Sequence, residues 1–199
     1  MKALVIYSHP REGSFNAAIR DLVIARLDAH GVQYRVRDLY AEGFDPTLSA
    51  HDHEVYENVP ENRARVNRDC DDLQWCDALV FVYPTWWYGL PAMLKGWLDR
   101  VMVPGVSFIM PESSGGDIKP GLTHITKLGV FTTCGASRWL TFFVGAPGKR
   151  TLMRGVRILL AKRCKTKFAA HYLMDSSTSQ SRAAHLEVVR TRLDKLISA

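Results

Sequence analysis

The sequence predicts an α/β protein, a three-layer doubly wound sheet of five parallel strands in the order 2-1-3-4-5. Three observations carry that expectation. Short apolar runs alternate with segments of helical period along the chain, as parallel strands joined by crossover helices do. The run from Asp77 to Tyr83 is almost wholly apolar, which suits a parallel strand covered on both faces. Most strand candidates open into a turn-rich loop, and such loops share the carboxyl edge of a parallel sheet, with a ligand crevice between strands one and three. With 199 residues, 47% hydrophobic and 23% charged, the chain is expected to form one domain over residues 1–199.

Lys2 to Tyr7 reads as the first strand, ended by Ser8, His9 and Pro10. Apolar positions at Phe15, Ala18, Ile19, Leu22, Val23 and Leu27 then mark a helix, with Ser14 as its N-cap and Gly31 as its end. A helix start after a parallel strand presents free N–H groups and a positive dipole end, so Ser14 and Asn16 are candidates for a phosphate cradle. Val32 to Leu39 alternates like a second strand nearer the sheet edge. The turn-rich stretch Phe44 to Ala50 follows, and the polar segment from His51 to Gln74 carries enough charge for an exposed helix or two. His51, Asp52, His53 and Glu54 lack a second cluster that would make them metal ligands.

The third strand, Asp77 to Tyr83, is expected to stop at Pro84. A loop of Thr85, Trp86, Trp87, Tyr88 and Gly89 follows, and Leu90, Met93, Leu94, Trp97, Leu98 and Val101 form one helical face with Pro91 in its first turn. Trp97 belongs to that core face. Three rings together in a strand-end loop point instead to a planar aromatic ligand. The long connection Val103 to Gly121 has the character of a lid or partner contact. His124 to Thr133 is the fourth strand, ending in a polar turn from Thr132 to Ser137. Gly145 to Thr151 is a helix-opening turn and no P-loop, because Phe143 and Arg150 stand where glycine and Ser or Thr are required. Leu152 to Leu160 supplies a helical face, Lys165 to Tyr172 the fifth strand, and Leu186, Val189, Leu193 and Leu196 a closing helix.

The formal net charge of +6 is unevenly spread, since no Asp or Glu occurs from Ile118 to Met174. That half carries a positive field able to attract a nucleotide or another anionic partner, although no nucleic-acid-binding module is recognisable. The longest apolar runs, such as Trp139 to Ala146, fall short of the roughly 18 residues a membrane span needs. The start of the sequence leaves no room for a secretory leader, so a cytoplasmic protein is expected. Cys70, Cys76, Cys134 and Cys164 form no CxxC pair and read as buried thiols.

Three stretches, SHPREGSFN, YPTWWYGLPAMLKGWLDRV and TTCGA, resemble the corresponding motifs of the flavodoxin-like NAD(P)H:quinone oxidoreductases, the DT-diaphorase and modulator-of-drug-activity type. FDPTLSA looks like that family's loop after the second strand. The resemblance runs from Lys2 to about Met174 and implies a flavoprotein that takes hydride from NADH or NADPH and passes two electrons to a quinone or similar acceptor. It implies that His9, Ser14, Phe15 and Asn16 hold the flavin phosphate side. Pro84, Thr85, Trp86, Trp87 and Tyr88 would line the ring, and Thr133, Cys134 and Gly135 would meet its pyrimidine edge. The expected cofactor is FMN, with FAD as the alternative, and the family implies a homodimer. The best-known members place a tyrosine and a histidine after the TTGG-like turn, where Leu140 and Ala146 stand here. Arg138 is therefore a candidate to stabilise negative charge on the reduced flavin. Two other classes share the fold: a flavodoxin-type electron carrier, and a regulatory flavoprotein subunit of a membrane transporter.

Overall fold

The structure, a computed structural model, describes residues 1–111 and 116–199. Its centre is a sheet of five parallel strands: β1 (Lys2–Tyr7), β2 (Gln33–Asp38), β3 (Ala78–Thr85), β4 (Lys127–Cys134) and β5 (Lys165–His171). They lie in the order β2-β1-β3-β4-β5, the order the sequence predicts. Burial explains the arrangement. Seven of the eight residues of β3 are buried, and alternate side chains feed two separate cores. Leu79, Phe81 and Tyr83 enter one, with Leu4, Ile6, Leu128 and Val130. Val80 and Val82 enter the other, with Ala3, Val5, Tyr7 and Phe131.

Helices cover both faces. Helices α1 (Phe15–Ala29) and α6 (Ser179–Ile197) supply Ile19, Val23, Leu27, Val189 and Leu193 to the second core. Helices α2 (Asn67–Trp75) and α3 (Ala92–Val101) supply Cys70, Leu73, Leu94, Trp97 and Leu98 to the first. Between β4 and β5 lie the short helices α4 (Arg138–Phe143) and α5 (Pro147–Arg150). A π-turn (Thr151–Val156) and a 3-10 turn (Arg157–Leu159) continue the path. The connection from Val103 to Gly121 contains two paired two-residue strands, Phe108–Ile109 and Lys119–Pro120. The part of the expected lid at residues 112–115 lies outside the described residues.

Two expectations need correction. Pro84 does not stop β3, which runs on to Thr85 with Pro84 opposite Thr133 of β4. Val82 accepts from the Ser8 N–H, so by the two-residue strand period Pro84 turns the same edge toward β1. That strand has ended at Tyr7, and the N–H that proline lacks is not required there. The segment from His51 to Gln74 is also less exposed than its polarity suggests. The short helix Ala50–Glu54 is exposed as expected, but Asp69 of α2 is paired inward: Arg37 of β2 donates from Nε and Nη2 to it at 3.1 and 3.0 Å, and Trp97 Nε1 of α3 donates to the same carboxylate at 2.8 Å. Arg37, Asp69 and Trp97 are all buried, so one carboxylate joins a strand and two helices.

The FDPTLSA loop is held by a glycine. A Cβ on Gly96 would stand 2.1 Å from the carbonyl oxygen of Pro46, so only glycine lets this loop lie on α3, although glycine inside a helix costs about 1 kcal/mol relative to alanine. Arg100 then donates to the Asp45 carbonyl at 2.5 Å and pairs with Asp52 at 3.5 Å.

The buried hub at Asp69 predicts a sharp contrast. Asp69→Ala removes the acceptor shared by Arg37 and the Trp97 N–H, while Arg37 keeps Glu42 at 3.0 Å and Asp72 at 3.7 Å, and is expected to cost about 1.5–3 kcal/mol in urea unfolding. Asp99→Ala, which breaks an exposed pair with Lys95 on α3, is expected to change stability by less than about 0.5 kcal/mol.

Candidate functional site

The register of the three central strands sets where their loops emerge. Tyr7 of β1 lies beside Val82, and Thr85 of β3 lies beside Cys134 of β4. The loops after β1, β3 and β4 therefore leave the same edge, at the point where the chain's connections turn to opposite sides of the sheet. They enclose a cleft of about 900 Å³ lined by His9, Ser14, Phe15, Asn16, Pro84, Thr85, Trp86, Trp87, Tyr88, Thr133, Cys134 and Gly135. All twelve were singled out from the sequence as cofactor-binding candidates. Arg11, Ala136, Leu140, Met174 and Asp175 complete the wall. Two smaller clefts near β2 are lined by Arg35, Arg37 and Arg100, whose charges are already met by Asp72, Asp69 and Asp52.

At the first wall, Ser14 caps α1 as its sequence position predicts, its Oγ accepting from Ala17 N–H at 3.1 Å. The first N–H groups of α1, at Phe15 and Asn16, have no carbonyl four residues back within the helix. Asn16 donates from Nδ2 to Thr133 Oγ1 at 2.9 Å, tying the first wall to the third, while its buried Oδ1 has no hydrogen-bond partner. His9 Nδ1 lies 3.0 Å from the Arg11 N and 3.1 Å from the Arg11 carbonyl oxygen. Burial pushes the His9 pKa down, and the nearby Arg11 charge acts in the same direction. His9 is thus a neutral ring at pH 7.

The second wall is a tight turn. The Gly89 N–H donates to the Trp86 carbonyl at 2.9 Å, and the intervening Trp87 and Tyr88 have φ of 48° and 60°. Left-handed backbone at two bulky residues costs roughly 1–2 kcal/mol each, so the surrounding structure must impose it. Thr85 Oγ1 meets Thr132 Oγ1 at 2.9 Å below the turn. Behind it, the Gly148 N–H donates to the Tyr88 carbonyl at 3.2 Å, and a Cβ on Gly148 would stand 2.9 Å from the Gly89 carbonyl carbon. The Gly145–Thr151 turn opens α5 and at the same time supports the aromatic turn. Trp87 is 94% exposed and Trp86 42%, so the two indoles stand open at the cleft rather than in the core. Trp97, by contrast, is fully buried.

The third wall holds a surprise in its charge. Thr133 and Cys134 are buried at the end of β4, and the Leu173 N–H donates to the Ala136 carbonyl at 3.3 Å. Leu173 has φ of 55°, and this left-handed turn brings Asp175 back over the cleft. A Cβ on Gly135 would lie 3.0 Å from Asp175 Oδ2. The structure does not bring Arg138 to the wall. Arg138 is the first residue of α4 and exposed, and its charge acts on Tyr172, whose hydroxyl pKa is raised chiefly by burial. Leu140 lines the cleft, and residues two apart on a helix point to different sides, so Arg138 faces away. Of the five unanticipated lining residues, Arg11 and Ala136 neighbour motif positions. Asp175 had one signal in the sequence, as the first carboxylate after the stretch from Ile118 to Met174.

The arrangement suits a flat aromatic ligand with an anionic tail: α1 amides, Arg11 and His9 at one end, indoles in the middle, and backbone amides at Gly135. Away from the cleft, burial raises the Cys70 and Cys76 thiols to about 12 and raises Cys164 as well. A doubly wound α/β protein with its ligand loops at the β1–β3 crossover is defined by this fold and site. The chain belongs to the family described as "Flavodoxin-like fold", which it matches over residues 1–196.

Among its relatives is a ribosyldihydronicotinamide dehydrogenase [quinone] of Pongo abelii, 30% identical over 130 residues that cover 55% of this chain and 54% of that protein. An uncharacterised NAD(P)H oxidoreductase of Haemophilus influenzae is 34% identical over 143 residues, covering 69% of this chain and 66% of the relative. The chain thus spans about half the length of the first of these and about two thirds of the second. Among solved structures, Smu.1420 from Streptococcus mutans UA159 superposes with a TM-score of 0.83 at 26% identity, over 98% of this chain and 100% of the other.

The contact behind the aromatic turn is testable. Gly148→Ala is expected to displace the Trp86–Gly89 turn, to cost about 1–3 kcal/mol of stability through the clash, and to alter the fluorescence of the exposed tryptophans. Gly155→Ala, where an added Cβ meets nothing within 4 Å, serves as the control and is expected to leave the emission unchanged.

Proposed function

We propose that the protein is a flavin-dependent NAD(P)H oxidoreductase that takes hydride from NADPH or NADH and delivers two electrons to a quinone or similar small acceptor. The resident cofactor in this reading is FMN, with FAD as the alternative. The observation that carries it is the convergence on one cleft of the α1 amino end, the strained aromatic turn and the Thr133–Gly135 amides. The buried, unpartnered Oδ1 of Asn16 favours a ligand that donates a hydrogen bond there. When bound, the flavin supplies the two-electron chemistry itself.

The chain's own residues bind and orient. Ser14 offers its hydroxyl, and Phe15 and Asn16 their α1 amides, to the phosphate, with the helix dipole adding a favourable field. Arg11 adds charge, and neutral His9 a polar ring. Trp86, Trp87 and Tyr88 offer ring faces, and Trp87, nearly all exposed, excludes water only when a ligand covers it. Gly135 leaves its backbone uncovered by a side chain at the planar edge, and a Cβ there would press on the Asp175 carboxylate at 3.0 Å. In this reading the reduced cofactor meets a carboxylate at this wall instead of the expected Arg138.

The proposed assembly is a homodimer, and the location cytoplasmic. Helix α4 exposes Trp139, Phe142 and Phe143 at 72%, 78% and 75% beside the cleft residue Leu140, an apolar face suited to a second protomer. Among the described residues, no helix is long and apolar enough to cross a membrane.

The deciding experiment is an anaerobic titration of the flavin-loaded protein with NADPH and then NADH, followed by loss of oxidised flavin absorbance. Bleaching that a quinone reverses is the expected result. A flavin that neither nicotinamide reduces overturns the enzyme reading in favour of a carrier or a transporter-associated regulator, and chromatography of the released cofactor separates FMN from FAD. Asn16→Ala is expected to weaken flavin binding about tenfold or more, the effect of roughly 1.4 kcal/mol from one buried hydrogen bond. Sedimentation analysis tests the dimer; a monomer at micromolar concentration overturns it.

A further inference from the structure

Behind the first wall lies a pair of histidines that the functional reading does not use. His171 ends β5 and His185 sits on α6. Both are buried, and their ring centroids are 5.2 Å apart, edge to face. Phe15, the first residue of α1 and part of the cleft wall, packs on both, at 5.5 Å from His171 and 6.0 Å from His185. His171 Nδ1 and His185 Nε2 are buried without hydrogen-bond partners.

We propose that His171 and His185 are positioning residues for the phosphate end of the cleft: as two neutral rings they hold Phe15 and the first turn of α1 in place, and a proton on either ring releases them. The Phe15 ring is carried by the first residue of α1, so packing that fixes the ring also holds the amides of that turn. The three rings close only while uncharged, since a cation among them would lose its water with no anion to replace it. The charged groups that act on the pair are Arg182 and Arg192 of α6, and α1 presents the Phe15 ring; no carboxylate contributes from any of these elements.

The direction of titration agrees. Burial pushes the His185 pKa down from 6.5 to about 4, helped by His171 and Arg192, and burial likewise lowers His171. A histidine whose folded pKa lies below its unfolded value contributes stability that is complete above about 6.5. It is lost as pH falls from there toward about 4. Within that window the open state binds protons that the closed state refuses.

The functional readout rests on the flavin reading, and the structural one does not. The first experiment is a histidine NMR and thermal-unfolding titration of flavin-free protein between pH 7.5 and 4.5, on the parent, His185→Phe and His171→Phe. Phenylalanine keeps the ring packing and removes the proton site. The parent is expected to lose thermal stability across the window more steeply than either variant, and His185 to titrate higher in His171→Phe than in the parent, because the His171 charge that lowers it is gone.

The second experiment is the FMN dissociation constant over the same range. The parent is expected to weaken relative to His185→Phe on the order of tenfold between pH 7.5 and 5, a ratio that cancels the titration of the ligand's own phosphate. Superimposable parent and variant profiles in both experiments overturn the proposal. Steeper acid unfolding of the parent with parallel FMN profiles overturns the link to the cleft. Failure to bind FMN at any pH overturns the flavin reading and leaves the ring clamp to be judged by the first experiment alone.

Discussion

Burial of β3 on both faces is the constraint from which the molecule follows. A strand whose alternate residues enter two different cores needs a strand on each side and helices above and below. Once β1 and β4 flank it in parallel, the loops after Tyr7, Thr85 and Cys134 must leave one edge together. The cleft is a product of that register. A slip of one residue would send Leu79, Phe81 and Tyr83 to the opposite core and carry the Trp86–Gly89 turn out of line with Thr133.

Two devices tie the covering layers to this sheet. One is electrostatic: the buried Asp69 carboxylate accepts from Arg37 and Trp97, so β2, α2 and α3 are fixed relative to one another. The other is the absence of a side chain. At Gly96 and Gly148 the backbone of a distant segment lies where a Cβ would be, which seats the loop after β2 on α3 and sets α5 against the aromatic turn. That second contact stabilises the left-handed backbone of Trp87 and Tyr88, whose local cost would otherwise flatten the turn.

Charge is distributed differently at the surface and in the cleft. The stretch from Ile118 to Met174 contributes cations only, and the ones whose partners are seen turn to neutral groups, as Lys149 does over the Phe168 ring and Arg157 at the Lys162 carbonyl. The third wall of the cleft itself receives Asp175. Proximity in sequence to the Thr133–Gly135 turn put Arg138 forward for that wall, whereas the turn of α4 directs it to the side of Tyr172.

The sequence by itself determined the alternation of strands and helices, the strand order, and the three loops that meet at the cleft. These depend on burial period and on capping by residues such as Ser14, both read within a few neighbouring positions. The ends of elements were less legible. Pro84 looks like a stop until the end of β1 beside it is known, and the polar run before β3 looks exposed until Arg37 is seen to reach Asp69. Only the tertiary structure decided that Asp175 and not Arg138 faces the cleft, that Gly148 supports Tyr88, and that His171 and His185 meet behind Phe15. Each of these joins residues far apart in the chain, through a backbone direction or a close approach that no local pattern encodes.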